Sequence, residues 1–513
     1  MGDRLHIVRS EELSAGTSLV DQLNLSASPA RFSRKSERLL LLFWLFSLPF
    51  LNPWVRGDGV GYYAFARAPL IEHRLDFTRD YQFANESFRG PRLDENDQPK
   101  SEFRTPTGHL DNHFTVGPAI LWTPFLLVTH LGILLARALG SSVVADGFSA
   151  PYRITMALAT AFYGFLSLLL AFRLAGPYVR ERWALLATLS IWWASSLPVY
   201  MYFNPSWSHA HSAFAVALFL WYWHRTHSSR TLAQWSILAA ITGLMLNVYY
   251  ANVMVVTVLA IEVIRQYYLA LRPAASTAPN SILPIPQLVL RHSLFVATLF
   301  VSLLPTLITR YIIYGSPFES GYISLRDWNW FSPSFLAVLF SSNHGFLAWT
   351  PILFFSIAGL FIFWRWQRRS GAPFLAAFLV FYLFISCYPD WAGISSYGNR
   401  FFVSLTPLFI LGLAIFFDRA AQLFRSQRAA LSGAIMLLAV TTLWNAGLIF
   451  QWGSHLIPAR GPVSFSEIAH NQFLVVPRQL SADLQRYFFR RKALMEQIEE
   501  RDIQQLKNNP PLP

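Results

Sequence analysis

Apolar runs long enough to cross a bilayer recur along this chain, near residues 39–55, 152–172, 184–201, 208–223, 232–248, 252–268, 293–313, 345–364, 372–388, 401–417 and 429–450. Such recurrence leaves one fold class: in lipid every backbone polar group must be satisfied internally, and runs of this length do so as helices. The expectation is an all-α polytopic membrane protein with about eleven spans. Hydrophobic residues make up 54% of the chain against 13% charged, and the mean hydropathy is +0.35. The formal charge of +13 does not point to nucleic acid. The arginines sit in short loops between apolar runs, which is the positive-inside pattern. The lone Cys387 lies in an apolar run, so neither a disulfide framework nor a thiol metal site is expected. The first 37 residues are polar and basic, and no small-residue cleavage site follows the first apolar run.

Loop charge sets the topology. The basic loops are the Arg31/Arg34/Lys35/Arg38 end, Arg173/Arg180/Arg182, Arg225/Arg230, Arg265/Arg272/Arg291, Arg365/Arg368/Arg369 and Arg419/Arg425/Arg428. All fall on one side if the apolar stretch 117–137, which contains Pro118, Pro124 and His130, does not cross. It is therefore read as a re-entrant or juxtamembrane helix, with a twelve-span arrangement as the competitor. The domains that follow are a cytoplasmic segment 1–38, a transmembrane domain 39–450 and an outward-facing tail 451–513. Glu262 and Arg310 lie near span ends and read as snorkelling or pairing residues.

The outward face then collects the chemistry. Asp58 sits in Gly57-Asp58-Gly59-Val60-Gly61-Tyr62-Tyr63, directly after the first apolar run. A carboxylate there, with bare backbone around it, suits the handling of a polar substrate. A solvated turn has the same composition. The first outer loop, 56–116, opens with charges set among Leu70, Ile71, Leu75 and Phe77, which suits one or two interfacial helices. Its later part, Asn85 to Thr107, reads as a polar, mobile loop. His109 and His113, four apart with Asp111 between them, suit a metal or cap the next helix. The turn Tyr200–His211 carries His209 and His211 at the mouth of a span, as functional groups or as ordinary belt residues. Trp328 and Trp330 suit a sugar-stacking platform or the membrane belt. The last outer loop holds Asp390, Asn399 and Arg400. Arg400 begins an apolar span on the side where positive charge is disfavoured, so its fork either grips a phosphate or snorkels to head groups.

Four features resemble the GT-C superfamily of integral-membrane glycosyltransferases, in the neighbourhood of the protein O-mannosyltransferase and aminoarabinose-transferase-like enzymes (glycosyltransferase family 39). They are Asp58 after the first span, the long outer loop, the segment Gly117-Pro118-Ala119-Ile120-Leu121-Trp122-Thr123-Pro124-Phe125, and Tyr397-Gly398-Asn399-Arg400-Phe401 leading to Pro407. The resemblance covers the chain to about residue 450. It implies transfer of a sugar from a polyprenyl-phosphate donor to a lipid, glycan or protein acceptor on the periplasmic face of a bacterial inner membrane. It also implies Asp58 as general base. Tyr62, Tyr63, His109, His113, His209, His211, Asp390, Asn399 and Arg400 are the candidate substrate- and donor-binding residues. Family members often carry a second acid in the second outer loop. Here that turn offers only His209 and His211, so no cofactor is expected and metal-independent chemistry is favoured. The competing class is a transporter or flippase of a lipid-linked or anionic substrate, which would place ionisable groups near the midplane and show internal repeats. Asp and Glu are nearly absent from span centres, and no repeat is visible.

Overall fold

A computed structural model describes residues 33–227, 229–271 and 283–508. Arg31 and Arg272 lie outside the described residues. Among these residues the protein is all-helical, with two isolated β-bridges, Leu93 to Pro99 and Arg104 to Leu110, in place of strands. The helices used below are α1 Arg34–Ser47, α2 Asp58–Arg67, α3 Gly117–Ala138, α4 Ala150–Ala175, α5 Glu181–Trp193, α6 His209–Thr226, α7 Leu232–Val248, α8 Thr257–Leu271, α9 Ile285–Tyr314, α10 Ile352–Trp366, α11 Arg368–Cys387, α12 Thr406–Ala420, α13 Gln427–Gly453, α14 Val476–Phe489 and α15 Arg491–Asn508.

The expectation of an all-α polytopic membrane protein holds. Among the described residues seven helical segments are long and apolar enough to cross a membrane: α3, α4, Tyr250–Leu271, α9, α11, Arg400–Ala420 and α13. Two more, α7 and α10, are apolar but shorter. The run 39–55 yields only the 14-residue α1, because the chain leaves the helix at Leu48 and Pro49 and passes through a 3-10 turn. The run 184–201 yields the 13-residue α5, which stops before Pro198. Pro49 thus shortens a span that hydropathy alone would extend, whereas α5 breaks at residues 194–196 and Pro198 lies in the helical turns that follow.

The segment 117–137 is one continuous 22-residue helix, Gly117–Ala138, which is long and apolar enough to cross a membrane, as the twelve-span competitor requires. Its partners show its course. The Tyr163 hydroxyl donates to the Leu121 carbonyl at 3.2 Å, Trp122 Nε1 donates to Thr160 at 2.9 Å, and His130 meets Tyr152 at 2.6 Å. As α3 advances, its partners on α4 recede, so the two are antiparallel along the first half of α4.

The bundle has a basic end. Ser33 N–H donates to Glu181 at 3.0 Å, Arg173 pairs with Glu37 at 2.7 Å, and Arg180 pairs with Asp418 at 2.8 Å. These contacts bring together the start of α1, the end of α4, the start of α5 and the end of α12. Because α1 leaves this end and α4 returns to it, everything from Ser47 to Ala150 starts and finishes toward the other end. Arg230, expected among the same basic loops, pairs with Glu262 at 2.7 Å.

At the centre, α10 and α12 cross at Gly359 and Gly412. A Cβ at Gly359 would stand 1.8 Å from the Gly412 carbonyl oxygen. Two backbones can approach this closely only where side chains are missing, which is how helices associate in lipid. The pairing holds α12 in line, and α12 begins just beyond Arg400.

The tail after Gln451 folds back onto the chain that follows α1 and onto the first outer loop. Arg491 donates to the Pro49 carbonyl at 3.0 Å, and the Tyr487 hydroxyl to Phe50 at 2.7 Å. Glu499 accepts from Ser87 N–H at 2.6 Å and from Asn85 at 3.1 Å. The start of the stretch read as a mobile loop, Asn85 and Ser87, is therefore tied to α15. Polar composition reports solvent contact, and a partner 412 residues away leaves no local signal.

Candidate active site

The end of the bundle opposite the basic loops contains a cavity of about 430 Å³ lined by Asp58, Arg92, His113, Trp207, Arg400 and Arg460, among others. Each wall has a local cause. Asp58 opens α2, and the turn before it depends on Gly57. That residue adopts φ +53, and a Cβ there would lie 3.3 Å from the Trp207 ring. The left-handed backbone suits glycine, and the close indole fixes the entry of α2. Trp207 Nε1 in turn donates to the Arg56 carbonyl at 3.1 Å. The strap 111–114 supports α2 from the other side. Asn112 Nδ2 donates to Gly61 O at 3.0 Å. Buried Arg310 donates to the carbonyls of Asn112 at 2.9 Å, His113 at 2.7 Å and Phe114 at 2.8 Å. Arg310 does not snorkel. It clamps three backbone oxygens that would otherwise be unsatisfied.

Asp58 and Arg400, 342 residues apart, form an ion pair through Asp58 Oδ2 and Arg400 Nη1. The guanidinium carbon lies 5.0 Å from the Trp207 ring centroid, a cation–π distance. Its Nε is buried with no hydrogen-bond partner among the described residues. The fork is thus half used. The carboxylate side chain is 29% exposed and the guanidinium 14%, so a ligand in the cavity reaches Asp58 first.

The loop that carries Arg400 is pinned from behind. Asn399 Nδ2 donates to the Trp391 carbonyl at 3.0 Å. His344 donates from Nδ1 to Ala392 O at 2.9 Å. His344 adopts φ +61 and stacks edge-on against Trp349 at 4.9 Å. Burial depresses the His344 imidazole from its ordinary 6.5 to about 4, and the nearby Arg400 charge pushes the same way against the Ala392 bond. The unfolded chain therefore binds the proton more readily. The stability this residue contributes is full above pH 6.5 and is lost as pH falls toward 4. The thermal midpoint is expected to drop over that interval, with a shallower drop in His344→Gln; identical pH profiles for the two proteins would refute the assignment.

Tyr62 lies beneath the pair, packed on Phe114 with ring centroids 4.8 Å apart. Burial first, and then the Asp58 charge, push its hydroxyl up to about 12, so it stays a neutral donor. Across the cavity, Asp502 of α15 pairs with Arg56 and accepts from His455 at 2.8 Å. Burial alone would raise the Asp502 carboxyl, but Arg56 and His455 outweigh it and hold it low.

The sequence-derived candidates divide. Asp58, Arg400 and His113 line the cavity, and Tyr62 underlies it. His209 is buried just behind, its ring 6.0 Å from Trp207 and 4.6 Å from Tyr200. Asn399 shapes the loop from outside the cavity. Tyr63 turns away, donating to Gly147 O at 2.7 Å. His211 is a packing residue between Trp122 and Tyr163. His109 bonds Thr107 at 3.0 Å on an outer turn, and Asp390 is exposed, also outside the cavity. Among the described residues no group of three or more His, Cys, Asp and Glu side chains stands ready to hold a metal ion. Trp328 stacks on Trp330 at 5.5 Å, away from the cavity. The residues that sequence reasoning missed are Arg56, Arg92, His455, Arg460 and Asp502. Only Arg92, next to the Gly90-Pro91 turn, had a local marker.

A second cavity of about 460 Å³ adjoins the first and shares Arg56, Asn204, Trp452, Gly453 and Ile498 with it. Its other walls are largely apolar: Phe50, Trp193, Phe203, Ile449, Leu484 and Leu494.

No family model matches the chain, and no curated protein matches it. Among solved structures, the chain is similar to the Archaeoglobus fulgidus oligosaccharyltransferase in its apo form, with a TM-score of 0.40 and 17% identity, over 86% of this chain and 54% of that one. A crystal structure of the same oligosaccharyltransferase with Zn and sulfate gives 0.39 and 17%, over 83% and 58%. The chain thus spans little more than half the length of that protein.

Proposed function

We propose that this membrane protein is a glycosyltransferase that moves a sugar from a lipid-phosphate donor to an acceptor hydroxyl at the end of the bundle opposite the basic loops. The observation that carries this reading is the pair of joined cavities. One is charged and holds the Asp58–Arg400 pair, and the other is apolar and opens on the same wall. An amphiphile with a phosphate head and a hydrocarbon tail fits that division. The apolar chain is driven into the second cavity by burial, and the head meets a guanidinium whose fork is only half used.

The chemistry follows from those two groups. In an inverting displacement the acceptor oxygen attacks the anomeric carbon, its proton passes to a base, and the bond to the phosphate oxygen breaks with both electrons on the phosphate. Asp58 is the base. Arg400 stabilises the charge that develops on the departing phosphate. The two functions are linked in one pair: a phosphate that takes Arg400 loosens its hold on Asp58 and leaves the carboxylate free to accept the proton. The base is therefore released when a donor is present. The polyprenyl character of the tail and the identities of sugar and acceptor belong to the same proposal.

The charged pair sits at one end of the bundle, where a transporter would hold its substrate nearer the middle. The deciding experiment incubates purified protein in lipid nanodiscs with a panel of polyprenyl-phosphate sugars and follows release of polyprenyl phosphate. At least one donor is expected to turn over. Movement of the intact donor across vesicles with no cleavage would establish the transporter reading instead.

A further inference from the structure

The charged cavity contains more positive groups than the reaction at Arg400 requires. Four arginines line it, Arg56, Arg92, Arg400 and Arg460, against the carboxylates Asp58 and Asp502. Arg400 is paired with Asp58 and Arg56 with Asp502. Arg92 and Arg460 meet no carboxylate at ion-pair distance among the described residues. Arg460 is exposed at the rim. Arg92 is built into the wall. Its guanidinium carbon lies 4.0 Å from the centre of the Phe88 ring and 5.6 Å from Phe103, and Nη1 donates to the Phe88 carbonyl at 2.8 Å. That arrangement fixes a cation between two aromatic rings and leaves part of its fork unused. Burial pulls the Arg92 guanidinium below its ordinary value, opposed by Tyr81 and by the charges of Asp58 and Asp111. A partly desolvated cation without a counter-ion gains more from an anionic ligand than one already paired.

We propose that the cavity is a two-anion site: beside the phosphate at Arg400, a second anionic group, a phosphate or a carboxylate, binds at Arg92, with Arg460 adding charge at the rim. This rests on the glycosyltransferase reading and narrows its substrates. Either the donor carries a diphosphate link, or the acceptor bears an acidic group. The shared chemistry is a second oxyanion held by a guanidinium between aromatic rings.

The test uses the full chain in nanodiscs, titrated calorimetrically with inorganic phosphate and inorganic pyrophosphate. Wild-type protein is expected to bind pyrophosphate more tightly than phosphate. Arg92→Gln should weaken pyrophosphate about tenfold, as loss of one charge-assisted contact implies, and leave phosphate within about twofold. Arg92→Lys, which keeps the charge, should recover part of the loss, and an unchanged thermal midpoint separates this from misfolding. Pyrophosphate affinity unchanged in Arg92→Gln overturns the proposal. The source is then read from turnover. A raised KM for the donor assigns the second anion to a diphosphate link, a raised KM for the acceptor assigns it to the acceptor, and no change in either overturns it. Arg400→Gln keeps the two readings separate. If it leaves phosphate affinity intact, the phosphate role of Arg400 fails, whatever Arg92 does.

Discussion

Asp58→Asn is expected to abolish sugar transfer while the protein still inserts and folds. The amide keeps the size of the side chain and cannot take a proton from an acceptor hydroxyl, and a positioned base contributes roughly 10²–10⁴-fold. The substitution also removes the partner of Arg400. Loss of that pair leaves a guanidinium that is 14% exposed without its counter-ion, so some loss of stability should accompany the loss of activity. The two effects are separable. Donor binding to Asp58→Asn should persist or strengthen, because the carboxylate no longer competes with phosphate for the fork. Turnover within tenfold of wild type would remove Asp58 from the role of base. Asp58→Glu keeps the charge at a longer reach and should retain a measurable fraction of the rate.

Arg400→Gln is expected to raise the donor KM and lower kcat together, by about 10²–10³-fold in kcat/KM, the range for removing one group that stabilises developing negative charge. The Trp207 ring, the Asp58 carboxylate and the pinned 391–400 loop hold the guanidinium in one orientation. Arg400→Lys should therefore rescue little: it restores the charge, but not a planar fork stacked on an indole. Donor saturation curves for the variants and wild type decide the matter. Superimposable curves would mean that Arg400 only anchors Asp58.

The parts legible in the sequence share a physical reason. Asp58 and Arg400 are charges at the ends of apolar runs, where a charge is expensive, so each stands out alone. That their side chains meet across 342 residues was visible only as a common side of the membrane, inferred from arginines in other loops. His211 shows the opposite case. In sequence it matches His209, two positions away, yet a step of about 200° round the helix axis sends it between Trp122 and Tyr163. Burial belongs to the packed helices, and no single run encodes it. The α15 cap was hidden for a third reason. Arg56 and Asp502 are ordinary surface residues in isolation, and they acquire meaning only because the tail folds back. The shortening of α1 was foreseeable from Pro49, whereas the break after α5 at residues 194–196 has no proline to mark it.

The position of the ion pair also bears on how such a chain is made. Membrane helices are threaded in order, so Asp58 emerges long before Arg400. A pair buried at mid-depth would force a bare carboxylate to wait in hydrocarbon until its partner was synthesised, at a cost of several kcal/mol. Here the carboxylate belongs to a cavity wall and stays 29% exposed even in the finished pair. The pair closes when the 391–400 loop arrives, and α15 then brings Asp502 to Arg56. Two ion pairs thus join early and late stretches of chain, and the charged cavity comes into being only near the end of assembly. A half-made molecule therefore lacks the complete charged cavity.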